Sequence, residues 1–183
     1  MARPQFTLTV VTTLDGLIAR ASDDAPHLWA SPEEQALFFA DVEAADWGIL
    51  GRHTHHAADR PDRRRIVFST AAGAGDWRRP TQLWLDPGRV GPGDLAGMVA
   101  GVQVLDRGVI LGGTRVHDWF LHHRAIDRIH LTVEPLRFGT GLPLFSHHRG
   151  PAAEVLPALG FEMQAERTLN ARGTRHSVWL PGG

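Results

Sequence analysis

Apolar and polar positions along this chain fall into short blocks whose period switches between that of a strand and that of a helix. Phe6 to Thr13 (FTLTVVTT) is rich in β-branched residues and reads as a buried strand. Asp15-Gly16 marks a turn, and Leu17-Ile18-Ala19 is a short apolar return. Arg20 to His27 is polar and loop-like. Ser31-Pro32-Glu33-Glu34 is a helix start: a hydroxyl at the N-cap, Pro at the first helical position, carboxylates in the first turn. Leu37, Phe38 and Val42 continue at helical spacing and carry that helix to Ala45. Trp47 to Leu50 is a buried strand closed by Gly51, with a short helix over Thr54 to Ala58. Asp59 to Arg65 is a charged loop, followed by strands over Arg65 to Ser69 and Thr81 to Leu85. Pro92-Gly93-Asp94 opens a helix to Ala100, Val109 to Leu111 is a short strand, and Thr114 to Leu121 is a helix. Arg128 to Val133 is a strand stopped by Pro135, and Phe138 to Phe145 is a loop punctuated by Gly and Pro. Phe161 to Leu169 and His176 to Leu180 alternate as antiparallel strands about an Asn170-to-Gly173 turn.

Strands alternate with helices through the middle, and strands alone follow. This order predicts an α/β fold: a mixed, mainly parallel sheet with helices on both faces and an antiparallel C-terminal edge. With 183 residues, 43% hydrophobic and no compositional break, residues 1–183 read as one domain. A chain of this size buries about 70% of its unfolded surface, which suffices for a packed core.

Charge and composition then narrow the chemistry. A net charge of −1 gives no reason to expect nucleic acid or a membrane surface as partner. No signal pattern or membrane-length apolar run stands out, which makes a cytoplasmic protein the expectation. There is no Cys, no Tyr and no Lys; all 19 basic residues are Arg. Schiff-base chemistry, thiolate chemistry and the Lys of phosphate-loop NTPases are therefore excluded. Carboxylates, His, hydroxyls, Arg, backbone amides or a cofactor must do the work.

The most specific feature is a pair of glycine turns. Gly51-Arg52-His53-Thr54 and Leu111-Gly112-Gly113-Thr114 each follow a short buried strand and precede a helix. Glycine admits an anion close to backbone N–H groups, and a helix N-terminus favours negative charge. Two such turns at the ends of parallel strands make a crevice suited to a dinucleotide pyrophosphate, although neither is the G-x-G-x-x-G fingerprint. Arg52 adds a phosphate fork, and Ser69 and Thr70 add hydroxyls, as the 2′-phosphate of NADPH needs.

On these residues the chain resembles the dihydrofolate-reductase-like superfamily. GRHT (51–54), RP (60–61), RIVFST (65–70), VILGGTRVHDWFL (109–121) and IHLT (129–132) resemble dihydrofolate reductase segments. LDGLIA (14–19), W-x-x-P-x-E (29–34) and EPLRFGTGLPLF (134–145) resemble equally the reductase domain of bifunctional riboflavin-biosynthesis deaminase-reductases and its standalone relatives. The resemblance implies an NADPH-dependent reductase that passes hydride to a C=N bond of a pyrimidine- or pterin-type heterocycle, a small-molecule substrate. It implies that Val11, Ile18 and Ala19 flank the nicotinamide. Gly51, Arg52, His53 and Thr54 hold the phosphate side, Ser69 and Thr70 the adenosine ribose, and Leu111, Gly112, Gly113, Thr114, Arg115 and Val116 the pyrophosphate. It places Glu34 on the substrate's amidine edge, with Thr132 as the strand hydroxyl bonded to that carboxylate and Trp29 and Phe38 beside the substrate. Residues four apart share a helix face, so Glu34 and Phe38 look into one cleft. A buried carboxylate has a raised pKa and is suited to proton delivery. A homodimer is a further expectation from these relatives. Leu17 and Leu111 depart from the riboflavin-pathway pattern, which carries Lys and Glu there. This leaves open dihydrofolate reduction proper, a related heterocycle, or non-catalytic NADPH binding. The eleven His residues lack zinc-ligand spacing, so they read as surface groups with no metal; Arg63-Arg64-Arg65 reads as a solvated run, with a place near the cofactor's adenosine phosphate as the alternative.

Overall fold

In a computed structural model describing residues 3–183, β1 (Gln5–Thr12) lies near the middle of a nine-stranded sheet. After it come β2 (Leu17–Ala19), α1 (Pro32–Ala44), β3 (Trp47–Gly51), α2 (Arg52–Ala57) and β4 (Arg65–Phe68). β5 (Asp76–Arg79), β6 (Gln82–Leu85), α3 (Asp94–Val99), β7 (Arg107–Gly112) and α4 (Thr114–His122) follow. β8 (Arg128–Val133), β9 (Leu142–Pro143), α5 (Ala152–Ala158), β10 (Phe161–Thr168) and β11 (Arg175–Pro181) complete the series. The sheet order is β10-β11-β8-β1-β7-β3-β4-β6-β5. From β8 to β6 the strands run parallel, while β11 and β10 at one edge and β5 at the other run antiparallel. β2 and β9 form a separate antiparallel pair.

Successive strand residues point to opposite faces, so the apolar runs are split between two layers. Phe6, Leu8, Ile49 and Ile110 pack against Leu95 and Val99 of α3, Val116 and Phe120 of α4, and Val155 and Leu156 of α5. Leu50, Val67 and Trp84 face the other way and meet Leu111. α1 and α2 cover that second face: Asp41 of α1 takes hydrogen bonds from β1 and β8, and His55 of α2 packs edge-on to Trp84. Helices thus lie on both faces of a mainly parallel sheet, as the alternation of elements predicts. Among the described residues no helix is long and apolar enough to cross a membrane.

The elements that differ from expectation are those set by distant partners. β5 is a short charged segment, DWRR, that becomes a strand through antiparallel pairing with β6. β9 arises inside the Gly/Pro loop because it pairs with β2. α5 has no side-chain cap and carries Pro157 near its end; it forms by burying Ala152, Val155 and Leu156. α2 begins at Arg52 rather than Thr54, with Gly51 itself as N-cap.

Candidate active site

A cleft of about 940 Å³ opens beyond the C-terminal ends of β1, β3, β4 and β7. Its centre is the pair of glycine turns. β3 and β7 are neighbours, and their register sets Leu50 against Gly112. A Cβ on Gly51 would stand 3.4 Å from Val116 Cγ2 and 3.9 Å from Gly113 N and Gly112 O, so the two turns touch. Gly112 adopts φ +105°, where a side chain is disfavoured. Neither Gly51 nor Gly113 supplies a side-chain cap, which leaves the first amides of α2 and α4 available to a ligand.

All the expected cofactor-side residues line this one cleft: Val11, Ile18 and Ala19 on one wall, residues 51–54, 69–70 and 111–116 on the others. Arg52 and His53 are exposed at its rim. Thr114 is buried, and its hydroxyl donates to Pro143 O at 2.6 Å, which ties the start of α4 to β9. The basic run is not uniformly solvated. Arg65 is buried in β4, where it donates to Ala58 O (2.8 Å) and faces His55 Nδ1 (3.1 Å). His55 is buried as well, and burial followed by the Arg65 charge holds its pKa down.

Glu34 is set by the entry to α1. Ser31 caps the helix as its sequence predicts, its Oγ accepting the Glu34 N–H at 3.2 Å. Ser31 N–H in turn donates to Glu134 Oε1 (2.7 Å), and Thr174 Oγ1 donates to Glu134 Oε2 (2.7 Å). This buried carboxylate therefore pins the helix start to the end of β8 and to the β10–β11 hairpin. Glu34 itself is only 4% exposed and, among the described residues, receives no side-chain hydrogen bond on its carboxyl. Burial, then the charges of Glu134 and Asp41, raise its pKa to about 7. Phe38 lines the cleft beside it.

Two expected substrate-side residues have other work. Thr132 is buried in β8, and its hydroxyl meets His176 Nδ1 (3.2 Å) rather than Glu34, because the β8–β11 register sets Thr132 directly opposite His176. Trp29 is half-buried outside the cleft lining and packs edge-on against Phe138, whose ring also carries Arg20 at 4.7 Å.

Conversely, Thr9, Gln35 and His117 line the cleft without having been singled out in the sequence. Thr9 was legible as the residue two before Val11 on the same strand face. His117 follows Thr114 by nearly one helical turn. It is fully buried, Nδ1 pairs with Leu144 O (2.9 Å), and Nε2 has no partner among the described residues and lies 3.3 Å from where a Cβ of Gly112 would stand. Burial pushes its pKa down from 6.5 to about 4, against the opposing Leu144 hydrogen bond. The unfolded chain binds a proton there first, so this neutral imidazole's stabilisation is complete above pH 6.5 and is lost as pH falls toward 4. The stability gap between the wild type and His117→Phe is expected to change by about 3 kcal/mol over that interval in denaturant titrations. A gap independent of pH would show that His117 is not held neutral.

No protein-family model matches this chain, and no curated protein matches it. Solved structures do. A protein provisionally assigned to riboflavin biosynthesis, from Shewanella sp. PV-4, superposes with TM-score 0.70 at 20% identity, covering 96% of this chain and 98% of that one. A pyrimidine reductase-like protein from Corynebacterium diphtheriae gives TM-score 0.69 at 14% identity, covering 97% and 91%. Dihydrofolate reductase from Enterococcus faecalis, solved with NADP(H) and a ligand named RAB-propyl, gives 0.65 at 15% identity, covering 97% and 96%.

Proposed function

We propose that this chain, which has the dihydrofolate-reductase-like fold, is an NADPH-dependent reductase of a pyrimidine- or pterin-type heterocycle. The observation that carries the reading is the meeting of two glycine turns in a single cleft that is also lined by the buried Glu34, whose pKa is raised to about 7. The residues present suit NADPH. Gly51, Gly112 and Gly113 leave room for a pyrophosphate against backbone amides, and Arg52, Ser69 and Thr70 offer donors for a phosphorylated ribose. Val11, Ile18 and Ala19 give the apolar wall that a nicotinamide ring requires. NADPH supplies the hydride when bound; the protein supplies orientation and a proton. Glu34 holds that proton on its carboxyl, in a cleft that Phe38 also lines. The substrate's amidine or lactam edge lies against Glu34, and the carboxyl supports protonation of the nitrogen of the reduced C=N bond, directly or through water.

The test is NADPH oxidation in the presence of dihydrofolate or of the deaminated 5-amino-6-ribosylaminouracil precursor, alongside an NADPH titration followed by Trp fluorescence. Saturable binding with oxidation of NADPH by either substrate is the expected result; absence of binding at millimolar NADPH would defeat the proposal. Arg52→Gln is expected to weaken NADPH roughly ten-fold while leaving NADH nearly unchanged, the loss of one charge-assisted phosphate contact at an exposed rim. Equal weakening of the two cofactors would take Arg52 off the 2′-phosphate.

A further inference from the structure

Beneath α1, on the cleft floor beside Glu34, lies a polar cluster that the proposed reaction does not use. Thr9 is 7% exposed in β1 and lines the cleft. Its Oγ1 is 2.7 Å from Asp41 Oδ2. The same oxygen is 2.8 Å from His130 Nδ1 of β8. His176 of β11 sits next to His130, with ring centroids 5.9 Å apart, and engages Thr132.

The chemistry of these partners fixes the direction of each bond. A carboxylate oxygen only accepts, so Thr9 and His130 both donate to Asp41. A hydroxyl owns one proton and two lone pairs. With its proton committed to Asp41, Thr9 has only lone pairs left to turn toward the cleft. His130, donating to the same oxygen from the neighbouring strand, keeps the Asp41 carboxylate aimed at Thr9.

We propose that Thr9 is a specificity-determining acceptor in the substrate half of the cleft, held in that polarity by Asp41 and His130. The substrate then carries a hydrogen-bond donor, an amino, ring N–H or hydroxyl group, over β1 on the Asp41 side of Glu34. A ligand presenting a carbonyl or ether oxygen there meets lone pair with lone pair and is rejected. This inference rests on reading the cleft as a heterocycle site, and it names the polarity of that heterocycle. Asp41 and His130 are positioning residues, acting on the ligand through Thr9.

Two isosteric pairs of probes read the polarity directly: 6-aminouracil against 6-methyluracil, and 5-aminouracil against 5-methyluracil. Binding is measured by calorimetry or Trp fluorescence on the intact protein, with and without NADPH. The wild type is expected to favour the amino member of at least one pair by roughly ten-fold, the value of one hydrogen bond in an enclosed site. Thr9→Val should reduce the preference to within about two-fold, and Thr9→Ser should keep it. Asp41→Leu gives a readout that a purely structural role would not move. It removes the acceptor that holds the Thr9 proton, which is then free to turn toward the cleft, so the preference should vanish or reverse. An amino preference that survives Thr9→Val, its absence in both pairs, or no binding of any of the four probes at millimolar concentration would overturn the proposal. Failure of NADPH to bind, with the Thr9-dependent preference intact, would instead remove the reductase reading and leave this one standing.

Discussion

Glu34→Gln is expected to lower the rate of substrate-dependent NADPH oxidation by about 100-fold or more, the usual contribution of a positioned general acid. NADPH affinity should stay within about two-fold, because Glu34 stands on α1 rather than on either glycine turn and an amide of the same shape leaves those turns alone. The pH profile carries a second signature. A carboxyl with pKa about 7 delivers protons best below that value, so wild-type turnover should decline as pH rises through 7, and the residual Gln activity should not. Stability follows pH in the same direction. The folded pKa lies above the ordinary 4.5, so the folded state binds the extra proton between the two values. The favourable contribution is complete below pH 4.5 and is lost as pH rises through 7, where burial of the charge becomes a cost. At pH 8 the Gln variant should therefore be more stable, by about 1–3 kcal/mol in denaturant titrations, while being less active. Unchanged turnover would discard Glu34 as the acid; lower stability at pH 8 would show that the carboxyl is better paired than its surroundings indicate.

Gly16→Ala is expected to cost the most stability of any single methyl. Gly16 holds φ +79°, and a Cβ there would stand 1.9 Å from Gly150 O and 2.8 Å from Gly150 C. Both obstacles are backbone, so no side-chain rotation relieves them. The surrounding turn is tightly held as well. Asp15 accepts from Gly139 N–H (2.8 Å) and from the Thr13 hydroxyl (2.5 Å), and these bonds keep its pKa below the ordinary value although burial alone would raise it. A loss of about 3 kcal/mol or more, and a fall in Tm of roughly 10 °C, is the expected outcome. Gly73→Ala is the control: φ is +67° there too, but nothing lies within 4 Å of the new methyl. Its cost should be the conformational one alone, about 1 kcal/mol. Equal losses at the two positions would mean that the segment carrying Gly150 yields freely. Because Ile18 and Ala19 follow directly on this turn and line the part of the cleft proposed to hold the nicotinamide, Gly16→Ala should also weaken NADPH binding.

What the sequence disclosed were local features. Ser31-Pro32 is a capping signal complete within a few residues, and the structure uses it as read, down to the Ser31 Oγ bond to Glu34 N–H. The two glycine turns are likewise self-contained, and the parallel pairing of β3 with β7 then brings them together. Features that depend on cross-strand register stayed hidden. Thr132 looked like the partner of Glu34, but its neighbour is chosen by β11. Glu134, which anchors the helix start, opens the EPLRFGTGLPLF segment with nothing local to show that Ser31 and Thr174 are its partners. Asp41 sits two helical turns beyond Glu34 with no sign of the strand residues beneath it. β5 and β9 have no strand pattern of their own and take their conformation from β6 and β2.

The anchoring of α1 by Glu134 ties the maturation of this molecule to the order of its synthesis. Ser31 waits 103 positions for Glu134, and Glu134 a further 40 for Thr174. A nascent chain emerging from the ribosome has α1 early, but the groove it overlooks acquires its final shape only once the β10–β11 hairpin has been translated and has docked. Chains arrested upstream of that hairpin should expose an α1 free at its first turn, marked by rapid amide exchange at Ser31 that slows sharply when the full-length protein is released.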